Sequence, residues 1–394
     1  MSVSIDQDQA FLDAVRRIAD EVAAPNADSV DREARFPIET IEALREERAL
    51  SAAVPAELGG GGLGLPTIAA ACFELGRRCG SSAMVFAMHQ IKIGTIVRHM
   101  DDSEWLREYV EALVAEQRLV ASVTTELGTG GDMGRSIAAV TPSADGNGAS
   151  FEKQAPVVSY GAYADDLFVT LRRNPETEQN DQVVAIVRKG QFTLEQTGTW
   201  DPLGMRGTCS PGFVVRAEIA PGQLLPAPFP SIMSESLVPI THILWSHLWL
   251  GIATDAFDRA RAFVRAAAKR SGPSDGPPPA AVRLSHLMSE LSLLRAEVAS
   301  GLAEYVEAYE EPGRERLNTM ASTLRFNNLK IAASEQAPRV CQSAMGVCGI
   351  MGFKNDTPFS IGRHLRDTMS ASLMIANERI HQTNASLLLI AKDV

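Results

Sequence analysis

The chain shows three successive patterns of hydrophobic and polar positions. Up to about residue 119, apolar side chains recur every three or four positions, which is the spacing of an amphipathic helix. Short β-rich runs punctuated by turn residues follow, and a helical period returns after about Pro230. The order of helices, then strands, then helices favours segregated layers over an alternating βαβ sheet. We therefore expect three domains, at residues 1–119, 120–229 and 230–394.

Individual elements follow from the same pattern. A helix start is predicted at Pro37, because proline is tolerated at the first helical position. A hairpin turn is predicted at residues 145–148 and a mobile or PPII-like loop at 271–280. Further helices are predicted from Pro66 to Arg78 and over Met84–Val97. The apolar stripe suited to a helical bundle consists of Leu284, Leu287, Met288, Leu291, Leu294, Val298 and Leu302. The segments predicted as strands are Leu119–Thr125, Ala149–Tyr160, Leu167–Arg172, Val183–Arg188 and Phe213–Ile219.

Charge and hydropathy narrow the classes of partner. The net charge of −11 comes without a sustained run of Lys and Arg, so we expect neither nucleic acid nor an anionic membrane surface as a partner. The longest apolar stretch, Ile243–Ala253, is well short of the roughly 20 residues that span a bilayer. The first residues lack the basic and apolar regions of a signal peptide. These observations predict a cytoplasmic protein that does not cross a membrane.

The five cysteines and seven histidines form no recognisable set of metal ligands. The sequence contains neither a C-x-x-C pair nor an H-E-x-x-H motif. We therefore expect no disulfide framework and no metal site, and we interpret the cysteines as buried, inert thiols.

Several glycine-rich and charged motifs occur in order along the chain. They lie at Pro55–Gly60, Thr124–Asp132, Val158–Asp165, Leu203–Thr208, Gly349–Phe353 and Arg366–Asp367. Each alone is a weak signal, since TELGTGGD by itself is usually a turn. Together they resemble the acyl-CoA dehydrogenase family over essentially the whole chain. A dinucleotide-binding interpretation of residues 128–133 does not compete, because the βαβ context of that motif is missing.

The resemblance implies the fold and the cofactor of that family. The fold is α+β, with an N-terminal helical domain, a central β-barrel or β-sandwich domain and a C-terminal four-helix bundle. The cofactor is FAD, and by position Thr124, Thr125, Gly130 and Gly131 would line its isoalloxazine and pyrophosphate. Ser159 takes the place of a hydroxyl beside flavin N5, and the alternative interpretation is a strand-end hydroxyl that caps a turn.

The catalytic glutamate of the family is missing from both positions where the resemblance places it. Desaturation of an acyl thioester needs a base to remove the α-proton while hydride leaves the β-carbon for the flavin. One position holds Ile375, and the other holds Thr241 followed by His242. The candidates for a replacement base are Glu378, one helical turn beyond Ile375, and His242, which can titrate near neutral pH. Each also has a plainer interpretation, as a solvated or salt-bridged helix residue and as a packed or substrate-contacting histidine.

The phosphate-binding arginine of the family is also replaced. The resemblance places that arginine, which reaches the pyrophosphate from a neighbouring subunit, at Ala267. Arg379 or Lys269 could compensate for the lost charge. The matching cofactor positions nearer the C-terminus hold Gly349 and Asn377.

Three functions remain open from the sequence. The leading one is an FAD-dependent oxidoreductase that carries out α,β-dehydrogenation or related chemistry on an acyl thioester of CoA or acyl carrier protein. The second is a flavin-dependent monooxygenase on the same fold, which uses reduced flavin and O2 and does not need the glutamate. The third is a non-catalytic homologue that binds a thioester. The resemblance further implies a homodimer or homotetramer, with an electron-transfer or reductase partner.

Overall fold

The computed structural model describes residues 2–144, 146–271, 279–310 and 314–391. Within them the chain runs through helices, strands and helices in the predicted order. The helices before the strands are α1 (Ser2–Ile18), α2 (Ala24–Arg32), α3 (Ile38–Glu46), α4 (Leu65–Arg78), α5 (Gly80–His99) and α6 (Glu104–Glu116). The strands are β1 (Val120–Val123), β2 (Thr141–Pro142), β3 (Ala149–Ala155), β4 (Asp166–Arg172), β5 (Gln182–Val187), β6 (Phe192–Gln196) and β7 (Phe213–Ile219). The later helices are α7 (Phe229–Ile232), α8 (Val238–Ser271), α9 (Pro279–Glu310), α10 (Met320–Cys348), α11 (Ile350–Phe353), α12 (Gly362–Met369) and α13 (Asn377–Leu388).

Helix α5 is an interior helix of the N-terminal region. Residues on all of its sides are buried, and they include the polar residues His89 and Lys92. Both ring nitrogens of His89 have backbone partners, at 2.7 Å from the carbonyl oxygen of Leu50 and 3.1 Å from the amide nitrogen of Val120. This histidine therefore ties α5 to the start of β1.

The central strands form two open sheets. The first has the order β1-β4-β5, in which β1 runs parallel to β4, and the second is antiparallel with the order β2-β3-β7-β6. Strand β7 is followed at once by the 3-10 turn Pro221–Gln223, and a single bridge, Ala185 to Leu224, joins the next residues to β5. Because neither sheet closes on itself within the residues that the structure describes, the predicted barrel alternative is wrong.

The predicted strands are present, β7 with the predicted ends and the others with shifted ends, and two further strands were not predicted. Strand β2 is only two residues long, and β6 is mostly exposed, so neither carries the apolar run on which strand prediction depends. The predicted hairpin turn joins β2 to β3, where the amide of Ser143 donates to the carbonyl oxygen of Gly148 at 2.9 Å. One residue of that turn, Asp145, lies outside the described residues.

The C-terminal region is helical, as the sequence predicts. Helices α8, α9 and α10 pack against one another, and the shorter α13 packs on α10 as a fourth helix. The predicted stripe on α9 is buried at Leu287, Leu291, Leu294 and Val298, whereas Met288 is 39% exposed. Most of the predicted loop at 271–280 lies outside the described residues.

Helix α8 also packs closely against α4 of the N-terminal region. A Cβ atom on Gly76 would lie 2.5 Å from the carbonyl oxygen of Leu248, and one on Gly251 would lie 2.3 Å from that of Phe73. Only glycine permits such an approach of two helix backbones. The N-terminal and C-terminal helices therefore share one core.

One helical stretch, Phe229–Lys269, is long and apolar enough by length and composition to cross a membrane. In the part of the chain that the structure describes, 94% of its most apolar window is buried inside the protein. Its apolar surface is therefore covered by the rest of the chain.

Candidate functional site

The glycine loop after β1 is packed against the guanidinium group of Arg379. Gly128, Gly130 and Gly131 all have positive φ angles, of 92°, 61° and 84°. Nη2 of Arg379 lies 2.8 Å from the place where a Cβ atom on Gly130 would stand. Among the described residues, no protein acceptor pairs with the amide groups of these three glycines. Free amides beside a guanidinium make this loop a cradle for an anion.

The side chain of Glu126 holds the glycine loop in place. Its buried carboxylate accepts hydrogen bonds from the hydroxyl of Ser136 at 2.7 Å and from the amides of Ile137 and Ala138 at 3.1 and 2.6 Å. Nζ of Lys153 lies 3.5 Å from the same carboxylate. The glutamate in this motif therefore has a structural role, because it fixes both ends of the segment from residue 126 to residue 138.

The hydroxyl residues predicted to line the flavin ring lie on two adjoining segments. Oγ1 of Thr125 donates to the carbonyl oxygen of Val157 at 2.7 Å, which joins the end of β1 to the segment carrying Ser159. Oγ of Ser159 accepts a 2.9 Å hydrogen bond from Ser210, so its own hydrogen remains available to a ligand. Thr124 and Thr125 are both half-buried beside this junction.

The two motifs at Leu203–Thr208 and Arg366–Asp367 meet each other. A Cβ atom on Gly204 would lie 2.0 Å from the carbonyl oxygen of Arg366, so glycine is required at this contact. The amide of Met205 donates to the buried carboxylate of Asp367 at 2.7 Å. Burial raises the pKa of Asp367 to about 6, although Arg363 opposes the shift. Arg366 also pairs with Asp31 of α2, so this junction joins all three parts of the chain.

The turn before α13 is held by a buried lysine. Ile375 has a φ angle of 51°, a left-handed conformation that is rare and costly for a β-branched residue. Nζ of Lys330 donates to the carbonyl oxygen of Ile375 at 2.7 Å and to Oδ1 of Asn377 at 2.6 Å. Burial lowers the pKa of Lys330 to about 7, with Glu335 opposing the shift.

The two predicted candidates for a base have contrasting surroundings. His242 is buried, and its Nδ1 lies 3.0 Å from the carbonyl oxygen of Phe326, so Nδ1 carries the proton. Its Nε2 has no hydrogen-bond partner among the described residues. Burial, helped by the charge of Lys330, lowers the pKa of His242 to about 3. Glu378 is exposed in the first turn of α13.

The predicted site residues fall into groups. Arg379 contacts Gly130 and Gly131. The two threonines adjoin the segment that carries Ser159. Asn377 and Ile375 both accept a hydrogen bond from Lys330. Gly349 ends α10 with a φ angle of 57°, and nothing lies within 4 Å of its would-be Cβ atom. The structure therefore does not bring Gly349 against the glycine loop.

Lys330 is a site residue that the sequence analysis missed. It lies on the same helix as Leu329, Ala333 and Ala337, all of them buried. The sequence gives no signal for this lysine, because the same helix face also carries the buried polar residues Asn327 and Ser334.

Comparisons with known proteins find relatives named as acyl-CoA dehydrogenases. Residues 5–117 match the family model described as acyl-CoA dehydrogenase, N-terminal domain. The probable acyl-CoA dehydrogenase YngJ of Bacillus subtilis is 23% identical over 364 residues, which are 92% of each chain. These matches support an acyl-CoA dehydrogenase-family flavoprotein.

Solved structures show the same fold at low sequence identity. Butyryl-CoA dehydrogenase of Megasphaera elsdenii superposes with a TM-score of 0.78 at 17% identity, covering 98% of both chains. Dibenzothiophene monooxygenase (TdsC) of Paenibacillus sp. A11-2 superposes with a TM-score of 0.80 at 21% identity, covering 97% of both chains. At these identities the likeness shows the fold alone.

Proposed function

We propose that the protein is an FAD-dependent oxidoreductase that acts on an acyl thioester. The observation that carries the proposal is the contact of Arg379 with the loop of Gly130 and Gly131. That loop offers unpaired amides and a guanidinium to a phosphate, which is what the pyrophosphate of a flavin requires. The hydroxyl of Ser159 keeps its hydrogen for the polar edge of a flavin ring, and the bond from Thr125 to Val157 holds the segment that carries it.

The names of the relatives support a CoA thioester as the substrate class. YngJ is called a probable acyl-CoA dehydrogenase, and a bovine mitochondrial relative that is 24% identical over 364 residues is called a short-chain specific acyl-CoA dehydrogenase. A flavin bound in this site would accept the hydride that leaves the β-carbon. The amide of Ile375 pairs with no acceptor among the described residues, so it is free to donate to the thioester carbonyl.

Three further proposals concern the oligomeric state of the protein, its electron acceptor and its location. We infer a homodimer or homotetramer that passes electrons to an electron-transfer or reductase partner in the cytoplasm. Large apolar side chains that are exposed in the C-terminal region support a subunit contact, because apolar side chains left uncovered in one chain are often buried in an interface. They include Ile350, Phe353 and Leu373, which are 68%, 68% and 76% exposed.

Anaerobic titration of the flavin-loaded protein tests the proposal. The protein is mixed with CoA thioesters of increasing chain length and with the matching carrier-protein thioesters, and the oxidised flavin band is followed. We expect at least one thioester to bleach the band. If none does so while the loaded protein holds flavin stoichiometrically, the proposed reaction is wrong.

A flavin-dependent monooxygenase is the second candidate. It is favoured by the absence of a carboxylate at Ile375 and Thr241, since oxygenation by a reduced flavin needs no base for an α-proton. TdsC, which is called a dibenzothiophene monooxygenase, also has this fold, and it has been solved with FMN bound. Product formation that requires both O2 and added reduced flavin would favour this candidate. A protein that binds a thioester but carries no flavin and turns over nothing would instead be a non-catalytic homologue.

A further inference from the structure

Three hydroxyl groups lie in a row behind the candidate flavin site. Oγ of Ser210 donates a hydrogen bond to Oγ of Ser159 at 2.9 Å, and Oγ1 of Thr208 lies 2.9 Å from Oγ of Ser210. Thr208 and Ser210 are buried, at 4% and 2% exposed, whereas Ser159 is half-buried. The row therefore leads from the interior of the protein to a hydroxyl group that a ligand can reach.

The hydrogen of Ser159 has no protein acceptor in this row. A hydroxyl group has a single hydrogen to donate. Thr208 can donate to Ser210 or to the carbonyl oxygen of Met205, each at 2.9 Å. Oγ of Ser210 lies nearer to Oγ of Ser159 than to the carbonyl oxygen of Thr208, at 2.9 Å against 3.2 Å. Among the described residues Ser159 donates to no acceptor, so its hydrogen is left for a ligand.

The segment that carries Ser210 is held from two sides. The amide of Met205 donates to Asp367 of α12 at 2.7 Å, and the amide of Gly207 donates to Oγ of Ser81 in α5 at 3.1 Å. A Cβ atom on Gly207 would lie 2.9 Å from that of Ser81, so the segment and the helix are in close contact. The position of the hydroxyl row is therefore set by both helical regions of the chain.

The backbone beside each of the two serines is strained. Tyr160, directly after Ser159, and Cys209, directly before Ser210, both have a φ angle of 43°. Left-handed backbone is costly for residues other than glycine, and it persists only where surrounding contacts enforce it. One such contact is the hydrogen bond from the amide of Tyr160 to the carbonyl oxygen of Thr208, at 2.8 Å. The fold thus enforces a backbone that brings the two serine hydroxyl groups together.

We propose that Ser210 is a positioning residue that turns the hydroxyl hydrogen of Ser159 toward the flavin ring. The inference rests on the proposed function, because the ring is the ligand that Ser159 would meet. The hydrogen bond from Ser210 occupies the side of the Ser159 oxygen that faces the interior, so the hydrogen of Ser159 points the other way. Hydroxyl groups that donate in sequence polarise one another, which makes the last of them a stronger donor.

A fixed direction of this hydrogen favours hydride acceptance by the ring. The ring gains negative charge as it accepts a hydride, and a donor that already points at it needs no reorganisation while that charge develops. Without Ser210, the oxygen of Ser159 loses its interior partner and the hydroxyl group is free to rotate. Its hydrogen would then point at the ring for only part of the time.

Nuclear magnetic resonance of the bound ring tests the direction of the hydrogen. The protein is loaded with FAD whose isoalloxazine ring is labelled with NMR-active nitrogen and carbon isotopes, because the signal of a ring nitrogen or carbonyl group moves when it accepts a hydrogen bond. Ser159→Ala identifies the ring atom that accepts the hydrogen. In Ser210→Ala we expect the same signal to move in the same direction, at least about half as far.

Two further variants separate this role from a general loss of stability. Ser210→Thr keeps a hydroxyl group and should give the parent signal. Ser236→Ala removes another buried serine hydroxyl, in the helical turn before α8, whose oxygen lies 2.8 Å from Nε2 of His99. It should lower the thermal midpoint much as Ser210→Ala does and leave the ring signals unchanged. If Ser210→Ala fails to fold, Ser210→Cys gives the same comparison, because a thiol is a weak donor.

The possible results distinguish the role of Ser210 from the function on which it rests. Movement of the ring signal in Ser210→Ala, with parent signals in Ser210→Thr and Ser236→Ala, would support the assignment. Parent signals in folded Ser210→Ala, or equal movement in Ser236→Ala, would overturn it and leave the flavin proposal standing. Parent signals in Ser159→Ala would overturn it too, since Ser159 then donates to no ring atom. A purified protein that cannot be loaded with FAD would overturn the proposed function, and this inference with it.

Discussion

Nζ of Lys330 donates a 2.7 Å hydrogen bond to the carbonyl oxygen of Ile375, whose backbone is in the left-handed conformation. The lysine lies on α10 and the isoleucine on the turn before α13, so the bond fixes that turn against the bundle. It holds in place the residue whose amide we propose to polarise the thioester carbonyl. An isoleucine in this conformation requires such a restraint, because its side chain opposes a positive φ angle.

Replacing Lys330 with methionine should loosen this turn. The change leaves the carbonyl oxygen of Ile375 without its donor and Oδ1 of Asn377 with the hydroxyl of Ser334 alone, and an unsatisfied buried acceptor costs roughly 1–3 kcal/mol. Removal of a buried amine offsets part of that cost, so we expect a net loss of about 2 kcal/mol in the free energy of unfolding. Urea unfolding measures it, with Lys354→Met, half-exposed on the surface, as the control. An unchanged midpoint would mean that the turn does not depend on the lysine.

Alanine at Gly130 should weaken flavin binding through Arg379. The new Cβ atom would lie 2.8 Å from Nη2 of Arg379 and would displace it. Loss of a charged hydrogen bond costs roughly 1.5–3 kcal/mol, so the flavin dissociation constant should rise at least about tenfold. Fluorescence titration of the apoprotein measures it. Gly190→Ala is the matched control, because Gly190 has a φ angle of 90° but nothing lies within 4 Å of its would-be Cβ atom. Equal dissociation constants for the two variants would contradict the role of Arg379.

Alanine at Gly204 should destabilise the whole protein. Its Cβ atom would lie 2.0 Å from the carbonyl oxygen of Arg366, a backbone atom that cannot move without shifting α12. We expect a loss of at least about 3 kcal/mol, which is the range of severe overpacking. Thermal unfolding followed by circular dichroism measures the change. Gly198→Ala, with nothing within 4 Å of the new Cβ atom, should unfold like the parent.

Lys92 should make the stability of the protein depend on pH. Burial lowers its pKa from 10.5 in the unfolded chain to about 7, so between these values the unfolded state binds more protons. Stability therefore rises with pH across that window, by at most about 1.4 kcal/mol per pH unit for one lysine. Lys330 and Lys153 contribute in the same direction. Urea unfolding at pH 7, 8 and 9 should show a shallower rise for Lys92→Met than for the parent. Parallel curves for the two proteins would show that Lys92 does not titrate in this range.

The sequence predicted the elements whose pattern is local. The stripe of Leu287, Leu291, Leu294 and Val298 reported the buried face of α9, because helical spacing alone decides which side chains share a face. Strand β6 was missed because it packs only part of one face and leaves Glu195 and Gln196 exposed. Its pairing with β7 gives it its structure, and that partner lies further along the chain.

Only those parts of the site whose conformation depends on the local sequence could be predicted. The glycines at 128, 130 and 131 indicate positive φ angles from the sequence alone. The contact of Arg379 with this loop depends instead on how α13 packs. In the same way, the motif at Arg366–Asp367 gave no sign that Arg366 pairs with Asp31, a residue 335 positions away. Lys92 and Lys330 are ordinary lysines in the sequence, and only their burial distinguishes them.

The close packing of α4 and α8 at Gly76 and Gly251 determines which fragments of the chain can fold independently. A fragment limited to residues 5–117 would keep α4 but lose α8, the helix whose backbone seats against it. The face of α4 that α8 covers would then meet water, and such fragments tend to aggregate. We expect limited proteolysis to release no stable N-terminal piece, so that the first and last thirds of the sequence melt in a single transition.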